Sequence, residues 1–162
     1  MNYSKALNEC IESAYMVAGH FGARYLESWH LLIAMSNHSY SVAGATLNDY
    51  PYEMDRLEEV ALELTETDYS QDETFTELPF SHRLQVLFDE AEYVASVVHA
   101  KVLGTEHVLY AILHDGNALA TRILERAGFS YEDKKDQVKI AALRRNLEER
   151  AGWTREDLKA LR

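Results

Sequence analysis

Apolar residues recur at steps of three and four along the first part of the chain: Leu7, Cys10, Ile11, Ala14, Val17, Ala18 and Phe21. That spacing puts them on one stripe of an amphipathic helix. Ser4 is placed to cap its start and Gly22 to stop it. A second stripe reads Leu84, Leu87, Phe88, Ala91, Val94, Ala95 and Val98, each 77 residues after its counterpart. Ser81 is its cap, and Pro79 keeps the entering chain extended. Tyr3 and Phe80 precede the two caps. An apolar residue there often packs back on the first turn as a hydrophobic staple.

A second helix is expected after Ser28 and again after Thr105, with those two residues as caps. The runs from Trp29 to Met35 and from Glu106 to Leu113 are apolar on nearly all sides, the pattern of a buried helix. Short third helices follow, Val42 to Leu47 and Ala118 to Arg126, the latter closed by Ala127-Gly128. Fourth helices are expected from Pro51 through Met54, Leu57, Val60, Ala61 and Leu64, and from a Ser130–Asp133 capping box through Val138, Ala141 and Ala142. Runs of alternating β-branched residues are missing from both halves. In the tail, Thr154 and Asp157 suggest one more cap, with Leu158 and Leu161 as a weak apolar edge.

The correspondence runs without a gap from Ser4–Leu47 to Ser81–Leu124. Self-similarity at a fixed spacing is the mark of repeated structural units. The fold class expected is all-α: two tandem four-helix repeats related by pseudo-twofold symmetry. The divisions expected are a first repeat at 1–66, a polar linker at 67–78, a second repeat at 79–146 and a C-terminal extension at 147–162. A unit of this size is marginal alone, and two can share a core.

Composition adds three limits. The net charge of −11 lies wholly in residues 1–80, which carry 14 acids against 3 bases; residues 81–162 carry 13 of each. With no long basic stripe, nucleic acid is not an expected partner. The acidic stretch from Glu53 to Glu77 reads either as a solvated face plus linker or as a docking surface for a basic partner. Membrane is not an expected partner either, since no apolar run approaches bilayer length. The start of the chain turns amphipathic at once, which does not read as a signal peptide. The single Cys10 fits a reducing, cytoplasmic setting.

Candidate chemistry is sparse, and no catalytic residue is expected. His30 and His107 are equivalent, and read either as core histidines bonding a carbonyl or the preceding cap, or as a metal or acid–base pair. Metal sites usually want three or four ligands at local spacing, and nothing of that kind accompanies them. Cys10 lies on an apolar stripe, where a thiol is usually inert. A phosphate-binding glycine loop is missing, so no nucleotide cofactor is expected in this chain. Glu106 stands out at the start of a buried helix, where Trp29 stands in the first copy. It reads as helix-start electrostatics or as a carboxylate able to take a guanidinium by two hydrogen bonds.

The run Leu103-Gly-Thr-Glu-His-Val-Leu-Tyr-Ala-Ile-Leu113, then Ala118-Leu-Ala-Thr-Arg-Ile-Leu124, resembles the N-terminal repeat domain of Clp-type AAA+ unfoldases, most of all the ClpC type of Gram-positive bacteria. Pro79-Phe-Ser81 fits as well, and the resemblance covers about residues 3 to 143. It implies a domain that receives substrates and adaptor proteins at the front of a hexameric ATPase feeding a ClpP peptidase. ATP and magnesium would belong to ATPase modules outside this chain. Some members read phosphorylated arginine as a degradation tag, and the tag-binding acid falls on Glu106. Thr105 and Ser81 would cap the nearest helix starts, and Tyr3 and Phe80 match aromatics at the cleft between repeats. In the first copy the motif reads Glu27-Ser-Trp-His30, without the acid. Two other readings stand beside this one: a free-standing adaptor of a Clp protease, and a helical metal protein using the histidines.

Overall fold

A computed structural model describes residues 1–50, 55–66, 77–115, 118–131, 135 and 138–162. Among these, the helices are α1 Lys5–His20, α2 Ser28–Ser36, α3 Val42–Leu47, α4 Arg56–Thr65, α5 His82–Val97, α6 Thr105–His114, α7 Leu119–Ala127, α8 Ile140–Ala151 and α9 Arg155–Leu161. The fold is all-α. Two two-residue strands, β1 Phe129–Ser130 and β2 Val138–Lys139, form a small parallel pair.

The paired stripes explain the core. Leu7, Cys10, Ile11, Ala14, Val17 and Ala18 of α1 are buried, as are Leu84, Leu87, Phe88, Ala91, Val94 and Ala95 of α5. Ser4 and Ser81 cap the two helices alike, each accepting the amide three residues on at 3.1 Å. The largely apolar α2 and α6 sit against α1 and α5 and are buried along nearly their whole length.

The halves are joined by exchange. The segment before α1 pairs with the second half: Leu103 donates to the Asn2 carbonyl and Ser4 to the Leu103 carbonyl, both at 2.8 Å. The segment before α5 pairs with the first half: Leu26 donates to the Pro79 carbonyl at 2.9 Å, and Ser81 to the Leu26 carbonyl at 3.0 Å. Adding 77 to one member of each set reproduces the other. Fourth helices are exchanged too, since α3 packs on α8 and α7 on α4. Burial is therefore shared between repeats, as marginal units of this size need.

Three expectations are corrected. Ser28 and Thr105 are the first helical residues of α2 and α6; the N-caps are Glu27 and Gly104. The fourth helix of the second repeat does not start at Ser130. That residue is buried in β1 opposite Lys139, Val138 lies in β2, and α8 starts at Ile140. Once its backbone pairs with a strand, Ser130 cannot serve as a helix cap. Asp133, Pro51, Met54 and most of the proposed linker lie outside the described residues. The tail does form the expected cap: Thr154 Oγ1 accepts from the Asp157 amide at 3.1 Å, and Asp157 Oδ2 from the Thr154 amide at 2.9 Å.

Candidate functional site

The site is built at the start of α6. Gly104 is extended, with φ −110° and ψ 174°. Its N–H donates to His107 Nδ1 at 2.8 Å, as the Glu27 N–H donates to His30 Nδ1 at 2.9 Å. Each histidine thus satisfies an amide that its helix start would otherwise leave unpaired. An accepting Nδ1 requires the neutral ring. Burial agrees, pushing the pKa of His30 down to about 3 and that of His107 to about 4. With Nδ1 spent on the backbone, only Nε2 remains to each ring. Among the described residues no cluster of three or more His, Cys, Asp or Glu could hold a metal ion.

Glu106 folds back over Gly104. A Cβ on Gly104 would lie 1.6 Å from Glu106 Oε1, so the missing side chain makes room for the carboxylate. Glu106 Oε1 lies 3.7 Å from His107 Nδ1. Since that ring is neutral and its Nδ1 is an acceptor, the contact is not an ion pair. Burial raises the carboxyl pKa, opposed by a hydrogen bond from the Glu106 N–H. Among the described residues no Lys or Arg lies within ion-pair distance of it. The result is a largely desolvated carboxylate without a cation, the arrangement that a guanidinium relieves.

Around it lies a pocket of about 480 Å³, bordered by Ser4, Tyr40, Ser41, Thr105, Glu106 and Trp153, among others. Thr105 does not cap its own helix. Its Oγ1 accepts the Ala43 N–H at 3.2 Å, tying α6 to the start of α3 across the repeat boundary. The Ser41 hydroxyl accepts from Gly44 at 2.9 Å at the same helix start. The pseudosymmetric place in the first repeat is a pocket of about 380 Å³ bordered by Glu27, Ser28 and Trp29, with Ala118 and Leu119 where Ser41 and Val42 stand in the other. There Trp29 meets Phe21 edge-on, with ring centres 4.7 Å apart at 88°, and lies 3.9 Å from His30. The second repeat has Val98 and Glu106 at those positions. An aromatic pair in one repeat is thus replaced by an aliphatic side chain and an unpaired acid in the other.

Ser81 is not brought to Glu106. It caps α5 and bonds to Leu26, on the first repeat's side of the crossing. Its counterpart Ser4 borders the Glu106 pocket instead, because the exchange carries each entering segment to the other repeat. Tyr3 and Phe80 converge on Phe88, with ring centres 5.6 and 5.1 Å away. Tyr3 thereby crosses from the first repeat to the second. The fourth positions of α1 and α5 are the polar Asn8 and Gln85, so neither ring makes the staple contact; Gln85 Nε2 donates to the Phe80 carbonyl at 3.1 Å. Cys10 is fully buried, and burial pushes its thiol up to about 12, which suits packing and not nucleophilic attack. Sequence reasoning misses Ser4, Tyr40, Ser41 and Trp153, since only the crossing and the fold of the tail bring them to Glu106.

Together these features define a duplicated helical domain with a pocket at the start of each second helix, one bordered by Glu106 and the other by Trp29. The model of the Clp repeat (R) N-terminal domain matches residues 2–127, and the chain belongs to that family. Among solved structures it is similar to the N-terminal domain of the caseinolytic protease associated chaperone ClpD from Arabidopsis thaliana, at 18% identity and a TM-score of 0.71, covering 93% of this chain and 95% of that one. It is also similar to the Hsp104 N-terminal domain from Candida albicans, at 18% identity and a TM-score of 0.70, covering 97% and 96%. No curated protein matches. Among the described residues no helix is long and apolar enough to cross a membrane.

Proposed function

We propose that this chain is a receptor domain of the ClpC type, taking substrate proteins and adaptors for an ATP-driven unfoldase, and that its second repeat binds phosphorylated arginine at Glu106. The observation that carries the reading is the partly buried Glu106 carboxylate, which borders a pocket and has no Lys or Arg at ion-pair distance among the described residues. A guanidinium placed there would form charge-assisted hydrogen bonds with a group that is otherwise poorly compensated. The phosphate would lie near the start of α6, where the helix dipole favours an anion and Lys101 borders the same pocket. Thr105 and Ser4 lie on the same pocket; Ser81 has no part in it.

Adaptors would dock elsewhere, on acidic faces such as the Glu58, Glu59 and Glu63 side of α4. ClpP would be reached only through the assembled hexamer, in a cytoplasmic setting, with ATP and magnesium held by ATPase modules. None of these roles calls for a reacting group within this chain.

Calorimetric titration with free phosphoarginine tests the tag site. One site per chain is expected, with binding abolished by Glu106→Ala and thermal stability kept. Binding that survives Glu106→Ala would overturn the assignment.

A further inference from the structure

The Glu106 pocket has a wall that the duplication does not supply. Trp153 and Asp157 border it, and both belong to the segment that follows the second repeat. Trp153 is held firmly. It stacks on His107 with ring centres 6.0 Å apart and planes 9° apart, and it meets Tyr110 edge-on at 5.3 Å. Its backbone N–H also donates to the Glu148 carbonyl at 3.2 Å, so the main chain at Trp153 is tied to α8 while the ring packs on α6. Asp157 is held by its reciprocal cap with Thr154. A carboxylate has about four acceptor positions, so the cap leaves Asp157 able to accept from a ligand. Leu161 packs against the core, anchoring the far end of α9.

Comparison of the repeats gives this wall a meaning. A tryptophan flanks the capping histidine in both. In the first repeat it is Trp29, from within the motif; in the second it is Trp153, from beyond the repeat. Replacing the motif tryptophan by Glu106 therefore supplies a carboxylate while an indole from elsewhere still covers the histidine. The charged side chains bordering the pocket are Glu106, Asp157 and Lys101, and His107 is neutral. Two acids, one ammonium and an indole suit a planar cation that carries an anionic substituent.

We infer that Trp153 and Asp157 complete the Glu106 pocket as a site for an arginine side chain. The guanidinium packs on the indole and is shared between the two carboxylates, and Lys101 takes an attached phosphate. The inference rests on the reading of this pocket as the tag receptor. It adds that the segment after the repeats takes part in recognition, so that a bound ligand bridges α6 and α9.

The chain's two tryptophans allow a direct test. Trp29→Phe leaves Trp153 as the sole indole, and phosphoarginine is titrated against its emission. A saturable change in emission is expected, with the midpoint found by calorimetry. Trp153→Leu should weaken binding about tenfold, the scale of a lost cation–π contact in a desolvated site. Asp157→Asn should weaken it about threefold, the scale of a half-exposed ion pair. Thermal melts check that the variants stay folded; should Trp153→Leu fail to fold, the emission change and Asp157→Asn decide. Unchanged affinity in the Trp153 and Asp157 variants, with Glu106→Ala still abolishing binding, would overturn the inference and leave the tag reading intact. No binding to the wild-type chain would overturn the tag reading itself, and this inference with it.

Discussion

At position 104 a missing side chain decides where a charge sits. The backbone of Gly104 is one that any residue can adopt, so its role is to clear space for the Glu106 carboxylate. Gly104→Ala therefore separates geometry from charge. A methyl there would drive the flexible carboxylate outward without straining the backbone. Phosphoarginine affinity should fall by about tenfold or more, the worth of one charge-assisted hydrogen bond, while the melting temperature changes little. Calorimetry and a thermal melt check both halves of that expectation. Glu106 itself is legible in the sequence, because an acid in the first turn of an apolar helix stands out against Trp29. Its neighbours are not. Which serine lies beside it depends on the crossing of two segments, and a crossing leaves no trace in local spacing.

Single helix ends carry two further expectations. His30 and His107 are neutral acceptors whose folded pKa values, about 3 and about 4, lie below the ordinary 6.5. As pH falls below 6.5 the unfolded chain takes up protons on these rings before the folded chain does, so stability falls with pH. The fall is full only below the folded values. Each ring should contribute a slope of up to about 1.4 kcal/mol per pH unit between roughly pH 6 and 4. Urea melts across that range check it, and His107→Gln should remove one ring's share of the slope. The second expectation concerns the turn after the first helix of each repeat. Gly22 has φ 64°, and the residue 77 later, His99, has φ 60°. A side chain in this left-handed region is strained where glycine is not. His99→Gly should stabilise by about 1 kcal/mol and Gly22→Ala should destabilise by a similar amount, read by chemical denaturation. Periodicity reveals the buried helices well, because their stripes depend only on the helical repeat. It fails at Ser130, where a serine followed by an acid has the form of a cap but the backbone is drawn into a strand pair.

For the molecule as a whole, the duplication is legible from residue identities alone, whereas the exchange between the copies is not. Ser4 and Leu103, like Ser81 and Leu26, form hydrogen bonds that belong to neither half by itself. Residues 1–66 expressed alone should therefore show well under about half the helicity of that segment in the intact chain. Adding residues 77–162 should restore it, as circular dichroism of the separate and mixed fragments can measure. The departures from symmetry have the larger functional consequence: Glu106 against Trp29, Val98 against Phe21, and a tail whose Trp153 packs on the second repeat's capping histidine. The most direct measurement is an amide-resolved NMR map of the intact domain during a phosphoarginine titration. A single receptor at the start of α6 requires shifts centred on Ser41, Gly104 to His107 and Trp153, saturating at one ligand per chain, with Glu27 to Trp29 unmoved. Equal shifts at both helix starts, or none at millimolar ligand, would contradict it.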